Sequence, residues 1–472
     1  MSDTANFQPF AAKMHNAGLR PELIDLFREY YQQLASGHTG KLSEAEIRPL
    51  DKANDLLHQD DLTAEAGING RHTLDQTVMI KLNGGLGTSM GMPYAKSLLE
   101  VKQGNNFLDV IVMQCNGCDG QLQYSLPLAL MDSFATHQET IDYLQQQGIR
   151  LGQDVFTFVQ HKFPKIRQDT LEPATYPEDP ELEWNPPGHG DIYAALETSG
   201  LLNQLLSDGY RYAFVSNSDN LGAVVDSRLL GAFADSGAPF MIEVCRRTGA
   251  DTKGGHLARH KDGRLILREI AQCPDEELDA FQDVERFKYF NTNNIWIDLQ
   301  QLRDFIDAHG FPQLPIIVNP KTVNPRDENS TSVFQIETAM GAAVAAFPGA
   351  LAVQVNRDRF IPVKKTNDLL AVWSDCYIFT PDCRIVPNPE RRLGTIIITL
   401  DSTYFKKIEQ LTERFQHGAP SLVECSSLTI HGDFAFGPNV VCRDYVVLEN
   451  RGAKQVVIPE GTVLEGKQVW EA

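Results

Sequence analysis

Gly84, Gly85, Gly87 and Gly91 fall within eight residues, directly after the short apolar run Thr77-Val-Met-Ile-Lys-Leu82. Glycine lets a backbone turn sharply and approach a ligand with no Cβ in the way. The freed N–H groups can cradle phosphate oxygens. The spacing is not that of a dinucleotide fingerprint, which would need glycine where Met90 stands. No Gly-Lys-Ser follows at the distance of a Walker A loop. Hydride transfer and P-loop ATP hydrolysis are therefore disfavoured. Thr88, Ser89 and the downstream Lys96 add hydroxyls and a cation. A tight turn with no ligand is the plain alternative.

Other polar groups join the loop. Pro186-Pro-Gly-His-Gly-Asp-Ile-Tyr193 puts His189 between two glycines, just before a helical run, where exposed N–H groups suit a phosphate. Phe214-Val-Ser-Asn-Ser-Asp-Asn220 is a strand running into polar residues. Asp219 there is placed to hold Mg²⁺ bridged to phosphates, and Asn217 to bond a sugar or the same phosphates. An Asx-turn is the competing reading of that segment. Lys253 and Lys364 are compact cations beside glycine or proline. Asn291, Asn293 and Asn294 head an apolar strand, and clustered amides fit sugar hydroxyls. Glu269 could accept from those hydroxyls or cap a strand surface. No serine elbow, HExxH or catalytic triad is found. Such an inventory suits nucleotidyl transfer, which needs positioning and charge neutralisation more than a protein nucleophile.

These residues need a scaffold. A chain of 472 residues predicts two to four domains. With 42% hydrophobic and 22% charged residues, it has the balance of a soluble globular protein. No run of ~18 apolar residues predicts a membrane helix. No secretory signal opens the sequence, so the expected location is cytoplasmic. A net charge of −20 disfavours nucleic acid and anionic membranes as partners. It would also repel a nucleoside triphosphate, so the site must gather cations locally. Eight cysteines do not form a disulfide framework, and the lone Cys115/Cys118 CxxC reads best as two reduced thiols.

Residues 1–75 read as a helical segment, with Ser43-Glu-Ala-Glu46 a capping box expected to start a helix. Over 76–385, strand candidates 77–82, 126–131, 155–159 and 212–215 alternate with helical patterns at 140–147 and 191–206. That alternation predicts an α/β domain with a mostly parallel sheet covered on both faces. Ligands of such sheets sit beyond the strands' carboxyl ends. Pro173–Pro187 reads as a surface loop. Over 386–472, short β segments separated by Gly432, Gly437, Gly452 and Gly461 predict a parallel β-helix, with a small β-sandwich as competitor.

Lys81-Leu-Asn-Gly-Gly-Leu-Gly-Thr-Ser-Met-Gly91 with Lys96-Ser97 resembles the signature of eukaryotic-type UTP–glucose-1-phosphate uridylyltransferases, the UDP-glucose pyrophosphorylases. The resemblance continues through Pro186–Gly190, Ser216–Gly222, Lys253–Gly255, Phe290–Asn294 and Arg359–Lys364. It implies a helical N-terminal segment, a Rossmann-like nucleotidyltransferase domain with a mostly parallel mixed sheet, and a C-terminal left-handed parallel β-helix. The implied substrates are UTP and glucose 1-phosphate, the products UDP-glucose and pyrophosphate, and the cofactor Mg²⁺. By the same resemblance Leu82, Asn83, Gly84, Gly85, Met113, Gln160 and Gly188 would hold the nucleotide, with Gln160 reading uracil. His189, Asn217, Gly255, Glu269, Asn291 and Asn293 would meet the sugar phosphate. Asp219 would bind the metal, and Lys96 and Lys364 would neutralise phosphate charge. Some relatives associate through the β-helix and others stay monomeric, so a homo-oligomer built that way is compatible with the resemblance.

Relatives commonly carry Cys-Lys-Gly-Pro where this chain has Met92-Pro-Tyr-Ala95. The length is kept, so Lys96 should still reach the site, but one basic residue is missing. Enzymes for N-acetylhexosamine 1-phosphate usually have arginine after Gly-Thr, and Ser89 favours glucose. A broad-specificity UDP-sugar pyrophosphorylase is a further rival. A non-catalytic sugar-nucleotide sensor would not need both lysines and Asp219.

Overall fold

A computed structural model of the chain describes residues 3–38, 40–50, 55–116 and 125–471. Its centre is one large sheet. The main path runs Leu57–His58, Leu351–Gln354, Phe240–Arg246, Tyr289–Asp298, Tyr212–Asn217, Thr77–Asn83, Leu128–Asp132 and Val155–Val159. Only Tyr289–Asp298 on this path is antiparallel to its neighbours. The rest are parallel, giving a mixed α/β fold with a mostly parallel sheet.

Both faces of the sheet are covered. Successive side chains of a strand point to opposite faces. Val78, Ile80 and Leu82 join one apolar cluster with Ile192, Leu196 and Leu202. Met79 joins another with Leu108, Ile111, Leu229 and Phe233. A strand buried on both sides reads as a continuous apolar run, which is why Thr77–Leu82 was legible.

The helical reading of the first 75 residues needs correction. Helices span Asp3–Asn16, Pro21–Ala35 and Ala64–Thr73. Phe10 and Phe27 of the first two pack their rings, tilted, against Tyr31 and Phe163 respectively. Ser43 does not open an α-helix. Only a 3₁₀ turn, Glu44–Glu46, follows it, and Ile47–Pro49 then pairs with His260–Ala258. The strand ladder and Pro49, which cannot continue a helix, outweigh the cap. Leu57–His58 likewise extends the main sheet. The expected helical run 191–206 is two helices, Ile192–Thr198 and Leu201–Ser207, split by Gly200 at φ +81°. The stretch 173–187 is not all surface: Trp184 and Asn185 are buried and pair with Pro164 and Phe163.

Toward the C-terminus, Ile397–Leu400, Cys425–His431, Val441–Asn450 and Val463–Trp470 form a parallel sheet. Phe434–Phe436 and Val456–Ile458 form a second, also parallel. The chain passes back and forth between the two. An antiparallel sandwich would not give these ladders. Among the described residues no helix is long and apolar enough to cross a membrane. Cys115 is buried in the helix Phe107–Asn116, and burial pushes its thiol up to about 12. Cys118 lies outside the described residues.

Candidate active site

The carboxyl ends of the parallel strands share one edge, and the loops leaving them bring most of the expected residues together. Asn83 ends the first. Its side-chain amide turns inward, donating to Asp132 Oδ1 at 2.8 Å and Thr140 Oγ1 at 3.0 Å. Asn83 thus anchors the loop, and Leu82 beside it is buried. A Cβ on Gly84 would lie 2.9 Å from the Gln160 amide nitrogen, whereas one on Gly85 would meet nothing within 4 Å. Gln160 is fixed by its own N–H, which donates to the Asp132 carbonyl at 2.8 Å. The glycine loop and Gln160 therefore face each other.

The loop then closes on itself. Leu86 pairs with Ala95, and the Lys96 N–H donates to the Gly85 carbonyl at 3.1 Å. Met90 and Met92 are buried in an apolar cluster against which Tyr94 and Met113 also pack. The stretch Met92–Ala95 therefore serves as an apolar seat for the loop. It delivers Lys96 to Asp219, with Nζ 2.6 Å from Oδ2. Their side chains are 13% and 16% exposed. The other carboxylate oxygen, Asp219 Oδ1, is buried with no hydrogen-bond partner among the described residues. A buried bare carboxylate oxygen is costly unless a cation or donor completes it. As a hard oxygen donor it fits Mg²⁺. No cluster of three or more potential ligands occurs among the described residues. A Mg²⁺ ion would then take its remaining ligands from phosphate oxygens and water, its usual manner of binding.

Lys364 is brought to the same place by backbone contacts. The Val363 N–H donates to the Asp219 carbonyl at 3.0 Å, and Ser89 Oγ donates to the Lys364 carbonyl at 3.2 Å. Asn217, at the head of the turn, has no side-chain hydrogen bond among the described residues.

His189 sits in a turn that only glycine can flank. Gly188 has φ +77°, and a Cβ there would lie 2.5 Å from the Thr338 carbonyl oxygen. The Met340 N–H donates to His189 Nδ1 at 3.0 Å, so the neutral ring carries its proton on Nε2. Burial and the nearby Lys364 charge push its pKa down to about 4. His189 is thus a neutral donor at physiological pH.

The remaining residues form a separate wall. Gly255 leaves room for the Glu269 carboxylate, whose carbon would lie 2.5 Å from a Cβ on that glycine. Burial raises the Glu269 pKa, with Lys364 and Asn291 acting in opposition. Asn291 Nδ2 donates to Asn293 Oδ1 at 2.7 Å, and the Asn293 N–H returns to Asn291 Oδ1 at 2.9 Å. Asn293 is held at φ +57°, beside an irregularity in the ladder. Lys253 is exposed and makes no described hydrogen bond.

A family model described as UTP–glucose-1-phosphate uridylyltransferase matches residues 24–443. The chain belongs to this family. It is 41% identical over 397 residues to the Hordeum vulgare UTP–glucose-1-phosphate uridylyltransferase, covering 84% of this chain and 82% of that protein. It is 39% identical to the Saccharomyces cerevisiae enzyme of the same name, covering 83% and 77%. Among solved structures, a UDP-glucose pyrophosphorylase from Leishmania major superposes with a TM-score of 0.90 at 41% identity, covering 98% and 99%.

Three groups at the uridylyltransferase site escaped sequence reasoning. Lys81 is fully buried, donating to Ser216 Oγ at 2.8 Å and the Ala223 carbonyl at 2.7 Å. Burial lowers its pKa to about 7. A lysine inside an apolar strand was the available signal. Asn220 is buried and binds four ways. It donates to Asn294 Oδ1 and the Arg359 carbonyl, and accepts from Gly222 and Ile361 N–H. Arg359 in turn pairs with Glu243, buried mid-sheet. Finally, Asp191 accepts the His161 backbone N–H at 2.6 Å and contacts its ring at 2.9 Å, tying the Gln160 segment to the His189 turn.

Proposed function

We propose that the chain works as its family does, transferring the uridylyl group of UTP to glucose 1-phosphate, reversibly, to give UDP-glucose and pyrophosphate. The observation that carries the chemistry is the Lys96–Asp219 pair with its bare buried oxygen, at the edge where the glycine loop, Gln160, His189 and Lys364 converge. That glucose is the sugar is supported by the relatives' names and by the Leishmania major protein, solved with UDP-glucose.

A phosphate oxygen of glucose 1-phosphate attacks the α-phosphorus of UTP in line. A new P–O bond forms as the bond to the β-phosphate oxygen breaks, and pyrophosphate leaves with the electron pair. Two anions must be brought together, so the protein's task is charge and position. Gly84, Gly85 and Gln160 hold the nucleotide, with Leu82 and Met113 beneath it and Gly188 opposite. His189 donates from Nε2 to the sugar phosphate, and Asn217 adds an amide. Glu269, Asn291, Asn293 and the Gly255 backbone face the hexose. Lys96 and Lys364 act on phosphate charge. Asp219 would hold Mg²⁺, which would supply neutralisation of phosphate charge.

The reading includes three domains, 1–75, 76–385 and 386–472, and a cytoplasmic location. It also takes the last domain as a left-handed β-helix. Parallel partners there are offset by 18 residues (Ile430 to Leu448), 20 (Leu448 to Gln468) and 22 (Phe434 to Val456), near three hexapeptides per coil. Self-association through this domain is tested by light scattering. The activity is tested by pyrophosphate release from UTP and Mg²⁺ with a panel of sugar 1-phosphates. Glucose 1-phosphate should be the best acceptor. No release with it, or preference for an N-acetylated sugar, overturns the proposal.

A further inference from the structure

We propose that residues 41–49 are a strap that sets the hexose wall of the site, and that Glu277 is the positioning residue through which the strap acts on Glu269. This rests on Glu269 facing the hexose, as argued above. The strap grips the wall on two sides. Ile47–Pro49 pairs antiparallel with His260–Ala258, in the strand that begins at His256 next to Gly255. On the other side, the Leu42 N–H donates to the Gln272 carbonyl at 2.8 Å, and Lys41 Nζ to the Cys273 carbonyl at 2.6 Å. The Gln272 side-chain oxygen accepts the Glu269 backbone N–H at 2.8 Å. One segment thus carries both the strap's anchor and the Glu269 backbone.

Glu277 joins the two. Its carboxylate accepts the Ser43 hydroxyl at 2.8 Å and the Glu44 N–H at 2.7 Å. It also pairs with Arg268, which is fully buried and precedes Glu269 in the chain. Arg268 Nε and Nη1 have no hydrogen-bond partner among the described residues, and Arg268 stands opposite His256 in the ladder. The buried Arg268 side chain, one residue before Glu269 in the chain, is therefore held in place by a carboxylate that the strap orients. Charge-assisted bonds of this kind fix geometry well. Displacement of a substrate-facing group by about 1 Å can cost orders of magnitude in rate.

KM for glucose 1-phosphate and KM for UTP are measured in the intact chain and in Glu269→Gln, Glu277→Gln and Ser43→Ala. Ser43→Ala removes the hydroxyl's bonds to Glu277 and from the Ala45 N–H without leaving a buried charge bare, so it should fold even where Glu277→Gln does not. We expect KM for glucose 1-phosphate to rise about tenfold in Glu277→Gln and about threefold in Ser43→Ala, with KM for UTP changed less than about twofold. If Glu269→Gln shows the selective rise but neither strap variant does, the strap is not a positioning element and the proposal fails. Equal rises in both constants in the strap variants mean general loosening, and also overturn it. If Glu269→Gln itself lacks the selective rise, the hexose assignment of Glu269 fails, and the strap's role with it.

Discussion

Lys96 and Asp219 are opposite charges, and in the free protein each is the other's partner. On the proposed reading, substrate phosphate would compete for Lys96 and Mg²⁺ for Asp219. Lys96→Ala should lower kcat by about 10²- to 10³-fold, the range seen when one preorganised group acting on transition-state charge is removed. It also leaves the Asp219 carboxylate with no partner among the described residues, so it should cost about 1–2 kcal/mol of stability. Steady-state kinetics beside a denaturation curve separate the two effects, and a fully active variant would remove Lys96 from the mechanism. His189 makes a second prediction. Its ordinary pKa is 6.5 and its folded value is about 4. Between those values the unfolded chain takes up a proton that the folded chain refuses. Stability should therefore fall as pH drops from about 6.5 to about 4, and this contribution should level off outside that window. The melting temperature of the wild type should drop more across that window than that of His189→Gln; parallel curves would refute the buried neutral ring. Most of this chemistry was legible because motif residues sit beside glycines and strand ends. The Lys96–Asp219 contact was not, because no local pattern records which residues 123 positions apart will meet.

Elements explain why two loops far apart in the chain act together. The turn after Tyr212–Asn217 and the segment after Leu351–Gln354 are joined by Asn220, whose side chain donates to the Arg359 carbonyl and accepts from the Ile361 N–H. Asn220→Ala strands buried donors and acceptors on both sides. We expect a loss of about 3 kcal/mol. Because Asp219 and Lys364 are then free to drift apart, kcat should fall about a hundredfold even well below the melting temperature. A variant that is destabilised but fully active at low temperature would show that the two loops need no such link. At this scale the sequence was informative where burial is two-sided, as at Val155–Val159, whose predicted and observed bounds agree. It misled at Ser43, where a sound local cap was overridden by strand pairing with residues more than 200 positions away. It also missed the break at Gly200, since the apolar spacing continues across it.

Across the whole molecule, the C-terminal module and the glycine loop share one apolar core. Met90, Met92, Leu221 and Val363 from the site side pack in the same cluster as Leu422, Leu428, Phe434 and Phe436. Gly91, at the end of the loop, has φ +75°, and a Cβ there would lie 3.0 Å from Lys407 Cγ of the C-terminal region. Sequence patterning separated 386–472 as a repeat-like unit, but periodicity says which residues are buried and not against whom. The apolar character of Met92 and Tyr94, read as a missing cation, is explained by this seat. A shared core couples the two parts in unfolding. Leu428 is fully buried in this shared core. Leu428→Ala should cost about 3 kcal/mol and move the whole calorimetric endotherm down as one. UTP affinity, followed during heating, should be lost together with C-terminal structure, because the loop's floor goes with it. Two resolved transitions, with UTP binding surviving the first, would show that the C-terminal module is an appendage and that the loop holds its shape without it.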